Sequence, residues 1–251
     1  MELLERFNQN QHQGRDGQAS AAREIREKFK TMSSNKLSPQ FWNISDIFIN
    51  DIISHFAYTS YLEIGIGEGL NFARVRCETK VSVDISPGNN PISTPMHVMS
   101  SDDFFAMNES NFDLVFIDGA HHSEQVIRDI ENSLSVLNSN GMILCHDVNP
   151  GTEEMQIVPR VQSEWTGDCW KAWVRCRSTM NDLSMLTLDV PYGMGVIAPG
   201  ASPNPLDPIH EANLTWPNFV ANREKWLNLV SLGQAAELLL HVSSAHPGVR
   251  R

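Results

Sequence analysis

The stretch YLEIGIGEGL, Tyr61 to Leu70, opens as a short apolar run and breaks into glycines at positions 65, 67 and 69. An apolar run that ends in glycines marks a buried strand turning sharply into a helix. Glycine lets the backbone turn tightly and approach a ligand with no Cβ in the way. The helix start beyond it offers unpaired N–H groups. Asp84 follows Gly65 by about twenty residues, at the end of the next β-type run, where a doubly wound fold reaches a ribose hydroxyl pair. The spacing is GxGxG, and Leu70 holds the place where a dinucleotide fingerprint needs its third glycine. Glu63, just ahead of the first glycine, would repel a pyrophosphate and attract a cation. A sulfonium ligand with an amino-acid head suits this loop better than a nicotinamide dinucleotide.

Four further β-type runs follow: VSVDIS (81–86), HVMS (97–100), FDLVFIDG (112–119) and GMILCHDV (141–148). Val, Ile and Leu dominate them, as in strands buried on both faces. Between the last two, Ser123 to Leu137 reads as a helix with Val126, Ile127, Ile130, Leu134 and Leu137 on one face, which leaves Glu124 and Asp129 for its surface. Strand, helix, strand alternation means a parallel sheet with right-handed crossovers. Further helices are expected at Glu153–Trp165 and Asp168–Arg177, the second with Asp168 as N-cap. LSMLTLDV (183–190) and YGMGVIAP (192–199), with only Pro191 between them, predict an antiparallel hairpin at the end of the sheet. A Pro-rich loop (198–208) and a helical tail from Trp216 to Leu240 close the chain. Upstream, two short helices around Gly14–Gly17 and a helix opening at Ser38-Pro39, with Phe41, Ile44, Ile47, Phe48 and Ile52 at helical spacing, are expected. The division is an N-terminal helical segment (1–57), an α/β core (58–199) and a loop with a helical tail (200–251).

Charge and composition exclude several classes. The 251 residues carry 19 Lys and Arg against 30 Asp and Glu, a net −11, which disfavours a nucleic-acid partner. Its densest basic run, Arg23 to Lys30, alternates with Glu24 and Glu27 and reads as a solvated helix face. The four cysteines, Cys77, Cys145, Cys169 and Cys176, have no CxxC spacing. Cys145, in an apolar run, is expected as a buried thiol. Reduced cysteines, together with MELLERFNQNQHQ lacking both a basic and an apolar leader region, point to a cytoplasmic protein. No stretch nears the ~18 apolar residues of a membrane span.

YLEIGIGEG, VSVD, FDLVFIDG, GMILCHDV and the closing hairpin, taken in that order, resemble the class I S-adenosylmethionine-dependent methyltransferases over about residues 58 to 199. The resemblance implies a doubly wound, mostly parallel seven-stranded sheet with its last strand antiparallel and helices on both faces. It implies S-adenosylmethionine as cofactor, bordered by Glu63, Gly65, Gly67, Gly69 and Asp118, with Asp84 at the ribose and Ile85, Ser101 and Asp102 near the adenine. Phe72, on the helix after the glycines, reads as core.

A second constellation lies beyond the fourth and fifth strands. IDGAHH carries Asp118, His121 and His122, and LCHDVN carries His146, Asp147 and Asn149. Two strand ends bearing titratable groups would face one crevice. In one reading Asp118, His146 and Asp147 hold a divalent metal (Mg, Mn or Fe) that lowers the pKa of a substrate hydroxyl. This resembles the metal-dependent O-methyltransferases, although His146 stands where an acid is usual and shifts preference toward softer metals. In the other, His121, His122 or His146 is a general base oriented by Asp118 or Asp147. A third leaves the two aspartates as helix caps and the histidines as filling. WKAWVRCRS (170–178) could stack and pair with a ring and an anion, yet its period favours an amphipathic helix with buried Trp170 and Trp173, and the same holds for Trp216, Phe219 and Trp226.

The expectation is methyl transfer from S-adenosylmethionine to a hydroxyl of a small molecule, a sugar or natural product. IDGAHHSEQVIRDIE also resembles a bacterial methyltransferase subgroup associated with such tailoring, with Ser123 in place of its usual aromatic. The alternatives are a metal-dependent hydroxylase-like enzyme, a non-catalytic member of the fold, and an NAD-dependent oxidoreductase. A homodimer is compatible with the sequence, which does not specify one.

Overall fold

Apolar β-branched runs separated by helices have one economical arrangement, strands side by side with the helices covering them. The computed structural model describes residues 45–86, 88–89, 91–231 and 234, so the helices expected upstream of Ser45 and the tail beyond Gln234 lie outside the described residues. In chain order the elements are α1 (Ser45–Phe56), β1 (Ser60–Ile64), α2 (Leu70–Arg74), β2 (Thr79–Asp84), β3 (His97–Val98), α3 (Ser101–Met107), β4 (Phe112–Ile117), α4 (Ser123–Ser135), β5 (Leu137–His146), α5 (Cys169–Thr179), β6 (Leu183–Leu188), β7 (Met194–Pro199), α6 (Trp216–Leu227) and β8 (Leu229–Val230).

The sheet order is β3-β2-β1-β4-β5-β7-β6-β8. β1 pairs in parallel with β2 and with β4, and β4 in parallel with β5. β7 runs antiparallel to both β5 and β6, so the hairpin expected from 183–199 is present, with residues 189–193 between its strands. The sheet has eight strands where seven were expected. The added strand, Leu229–Val230, is parallel to β6 at the edge. It begins where the expected long tail helix stops, at Leu227, because Asn228 turns left-handed (φ 48°) and ends the helix. The expected helix Glu153–Trp165 is instead irregular, with a single 3-10 turn at Glu154–Gln156.

Chain order reverses between β1 and β4. The strands after β1 build outward on one side and those after β4 on the other, so the crevice opens beyond Ile64 and Ile117. Two backbone hydrogen bonds extend the ladder there, from Gly65 N to the Val83 carbonyl (2.8 Å) and from Asp118 N to the Ile64 carbonyl (2.8 Å).

Helix α4 buries Val126 and Ile130 and leaves Glu124 exposed, but Asp129 is buried, not on the surface as expected. Its carboxylate accepts from Ser101 Oγ (2.6 Å) and Gln125 Nε2 (3.0 Å), tying α4 to α3. Asp168 is the N-cap residue of α5, as expected, but its side chain makes no capping hydrogen bond there. Its carboxylate accepts from the Ser123 N–H (2.7 Å) and hydroxyl (3.1 Å) at the start of α4. The tryptophans of α5 are core: Trp170 and Trp173 are fully buried, and Trp170 packs on Phe219 (4.5 Å between centroids) and Trp226 (6.2 Å) of α6. Arg177 is buried and donates to the carbonyls of Lys225, Trp226 and Asn204, fastening the end of α6. Phe72 and Cys145 are buried, and all four cysteines are free thiols.

Trp170→Ala should cost about 3–5 kcal/mol, because the ring it removes joins α5 to α6 and its neighbours cannot close the void. Urea unfolding followed by far-UV circular dichroism measures this; a loss under 1 kcal/mol would mean that α6 does not depend on that contact.

Candidate active site at the carboxyl ends of the strands

β1 ends in the glycine loop. Gly65 takes φ +80°, and a Cβ there would overlap the Asp118 carbonyl oxygen and the Gly119 Cα, so only glycine lets the exits of β1 and β4 pack together. Gly67 differs. A Cβ there would meet nothing within 4 Å, so its face is open, and its N–H donates to Asp84 Oδ2 (2.9 Å). Gly69 sits at the N-cap of α2. Asp84 also accepts from Ser86 N (3.0 Å) through its other oxygen. Its carboxylate is therefore oriented by two backbone donors and keeps its remaining lone pairs for a ligand.

Glu63 is 1% exposed and accepts a hydrogen bond from Tyr61 Oη (2.6 Å). Burial pushes its carboxyl up to about 7, against the pull of the Tyr61 and Asn71 hydrogen bonds. Ile85 is 77% exposed. Ser101 and Asp102 form the first turn of α3 and face α4, where Asp102 accepts from Arg128 Nε (3.3 Å) and Gln125 Nε2 (3.2 Å).

Beyond β4 and β5 the two polar runs meet. His121 Nε2 lies 3.5 Å from Asp118 Oδ1, and its Nδ1 lies 3.2 Å from Asp147 Oδ2. His146 Nδ1 lies 3.3 Å from both Asp118 Oδ1 and Asp147 Oδ1. Ligand atoms of Asp118, His121 and Asp147 all fall within 4.8 Å of one another, a grouping able to hold a metal ion. The ring that completes this set is His121, whereas the sequence reading placed His146 there. Buried His121 Nδ1 makes no hydrogen bond. His122 is exposed and contacts the edge of Trp165 rather than either carboxylate. Neither Asp118 nor Asp147 caps α4, whose N-cap is His122 and whose first N–H, of Ser123, donates to Asp168.

The cluster shifts its own protonation. Burial would raise Asp118, but His146 and His121 outweigh it and pull the carboxyl down to about 2. Burial would lower both histidines, but the carboxylates outweigh it, so His121 is raised and His146 is raised well above its ordinary range. A raised imidazole pKa favours the protonated ring, which donates a proton more readily than it accepts one.

Three features of the site were not visible in the sequence reading. Trp165 stacks on His121 (5.2 Å, 29°), and a Cβ on Gly167 would overlap the His121 carbonyl, so the Trp165–Gly167 turn fixes the imidazole. Asp147 and Tyr192 both adopt left-handed backbones (φ 63° and 65°), at a cost of about 1–3 kcal/mol each. The loops carrying them are joined by a hydrogen bond from Asn149 N to the Tyr192 carbonyl (2.7 Å). The Tyr192-Gly193 pair at a hairpin tip was the one local signal available.

Residues 62–148 match a family model described as a methyltransferase domain. Comparison with curated protein sequences gave no match. Among solved structures, an SAH-bound methyltransferase of Podospora anserina is similar at 19% identity and TM-score 0.48, over 71% of this chain and 87% of that one. An O-methyltransferase of Bacillus cereus in complex with SAH is similar at 13% identity and TM-score 0.47, over 73% and 91%. TomG of Streptomyces achromogenes, an O-methyltransferase in complex with SAM, is similar at 12% identity and TM-score 0.45, over 72% and 90%. Among the described residues no helix is long and apolar enough to cross a membrane.

Glu63 gives a pH prediction. Its folded carboxyl titrates near 7 against 4.5 for the ordinary group, so between those values the folded chain binds more protons than the unfolded chain. The Glu63 contribution to stability is therefore full below pH 4.5 and is lost as pH rises to about 7. Urea midpoints measured from pH 4.5 to 7 should fall more steeply for the wild type than for Glu63→Gln; parallel curves would mean that Glu63 is not held neutral.

Proposed function

We propose that this chain, whose residues 62–148 are a methyltransferase domain resembling the class I S-adenosylmethionine-dependent enzymes, transfers a methyl group from S-adenosylmethionine to a hydroxyl of a small molecule. One observation carries the reading. The Gly65 backbone lies against Asp118, so the loop suited to a sulfonium cofactor and the cluster suited to activating a hydroxyl share one wall.

The residues fit the cofactor. The open face at Gly67 admits a ligand against the backbone, and Asp84 offers an oriented carboxylate to a ribose diol. Ionised Asp118 offers negative charge to an ammonium or sulfonium group, and Glu63 adds to it once the pH passes about 7. S-adenosylmethionine supplies an activated methyl group and a good leaving group, so the protein's work is positioning and charge neutralisation. Ile85, Ser101 and Asp102 complete the proposed adenine side.

The cluster also fits a divalent metal. Asp118, His121 and Asp147 would hold it, and its chemistry there is to lower the pKa of a bound hydroxyl. His121 Nδ1 supports this: it is buried, lies 3.2 Å from Asp147 Oδ2 and makes no hydrogen bond, so a shared ion would satisfy both atoms. One imidazole with two carboxylates suits Mn²⁺ or Fe²⁺ better than Mg²⁺. His146, 3.3 Å from both carboxylates, would orient them. The raised pKa values of His121 and His146 count against a metal-free base.

Calorimetric titration of S-adenosylhomocysteine into metal-stripped protein, repeated with Mg²⁺, Mn²⁺ and Fe²⁺, tests both parts. The cofactor analogue should bind in every condition, and Asp84→Ala should weaken it by about 1–3 kcal/mol through the lost hydrogen bonds to a charged group. Titration of Mn²⁺ alone should give heat that Asp147→Asn abolishes, a change that keeps a side chain tolerant of the left-handed backbone. Failure of the analogue to bind would overturn the methyltransferase reading. Binding without a metal response would leave the cofactor site and remove the metal.

A further inference from the structure

Beyond Asp147 the structure contains a cavity of ≈ 390 Å³, within the usual size for a small ligand. Its lining includes Asn149, Glu164, Asp189, Tyr192 and Arg223, with Met155 among its apolar walls. We infer that this cavity seats the methyl acceptor, and that the acceptor is a small polyhydroxylated molecule bearing an amine. The inference rests on the reading above and adds the acceptor's place and its charge.

Placement follows from Tyr192. Its ring lines the cavity and stands edge-on to His146 (6.3 Å between centroids), so the cavity abuts the Asp118–His121–Asp147 cluster. The walls are built rather than incidental. Asn149 N donates to the Tyr192 carbonyl, and a Cβ on Gly193 would overlap Asn149, which locks the hairpin tip against the end of β5. Arg223 Nη1 donates to Asn149 Oδ1 and to the Pro150 carbonyl (2.6 Å). That fixes the Asn149 amide with Oδ1 occupied, so its NH₂ is the group with donors to offer.

Charge sets the class. Among the described residues Arg223 is the only cation in the lining. Two acceptors engage it, and its guanidinium lies over Phe219 (4.6 Å) and Trp216 (5.7 Å). Asp189 acts on Arg223 electrostatically, while the exposed Glu164 carboxylate acts on Tyr192 and not on Arg223. Two carboxylates against one engaged guanidinium leave a surplus of negative charge at the rim. A phosphate or carboxylate on the acceptor is repelled there, and an ammonium is attracted. The Asn149 amide and the two carboxylates together offer hydrogen bonds of both senses, which suits several hydroxyls better than an apolar ring.

The test compares three monosaccharides differing at one substituent: glucosamine, glucose and glucuronate. Each is titrated by saturation-transfer NMR into the full chain saturated with S-adenosylhomocysteine and Mn²⁺. Glucosamine should bind at least fivefold tighter than glucose, and glucuronate more weakly than both. In the Glu164→Gln, Asp189→Asn double variant the glucosamine preference should collapse, with affinity for the cofactor analogue unchanged as a check on folding. Equal binding of the three, a preference for glucuronate, or no sugar binding by protein that does bind the analogue would overturn the inference and leave the methyltransferase reading standing. Loss of analogue binding by the wild type would overturn that reading first.

Discussion

At Gly65 the chain leaves β1 with φ +80°, and its Cα packs on the carbonyl of Asp118 with no room for a side chain. This approach between the exits of β1 and β4 sets the distance between the two halves of the site. On one side the glycine loop leans on Asp84, which holds Gly67 N and Ser86 N. On the other side Asp118 carries its carboxylate into contact with His121 and His146. A methyl group at Gly65 would have to push these halves apart. Because the two strands pair in register up to Ile64 and Ile117, the shift would travel into the sheet.

The polar cluster is stable only as a set. Each of the two imidazoles lies within 3.5 Å of both acids in a mostly buried crevice, and each group's protonation depends on the others. Removing one member leaves a buried charge unpaired, which costs more than the pair contributed. Packing from outside keeps the set in place. Trp165 covers one face of His121, Gly167 allows its turn to reach the His121 backbone, and Phe116 and Tyr192 flank His146. The left-handed backbones of Asp147 and Tyr192 are borne by this surrounding structure, as expected where side chains are aimed for chemistry.

Much of this was legible locally. The glycine loop, the alternation of apolar runs and helices and the hairpin at 183–199 all rest on interactions spanning a few residues, and each left a period or a turn residue in the sequence. The bland reading of the WKAWVRCRS helix was sound for the same reason, since helical spacing buries Trp170 and Trp173 together. The helical period puts Asp129 at the edge of the polar face, and only the arrival of Ser101 from α3 buries it and gives one carboxylate oxygen a partner from another element. Asp168 stands at the N-cap of α5 as its position in the sequence indicates, but its carboxylate turns to Ser123, 45 residues earlier in the chain, and that partner leaves no local signal. In the segment Glu153–Trp165, Pro159 removes a helix N–H and leaves a single 3-10 turn before it, and the freed chain supports His121 and Trp170.

The sequence by itself determined a doubly wound sheet, a glycine loop with Glu63 and Asp84 in register, and two strand ends rich in acids and histidines, because strand periodicity and turn chemistry are properties of neighbours along the chain. Tertiary structure alone decided that His121 rather than His146 completes the grouping with Asp118 and Asp147, that Asp168 serves α4, and that Asn149, Tyr192 and Arg223 line one cavity. Those are relations between segments tens of residues apart. Their geometry depends on how the strands cross and how closely their loops approach, and no local pattern records it.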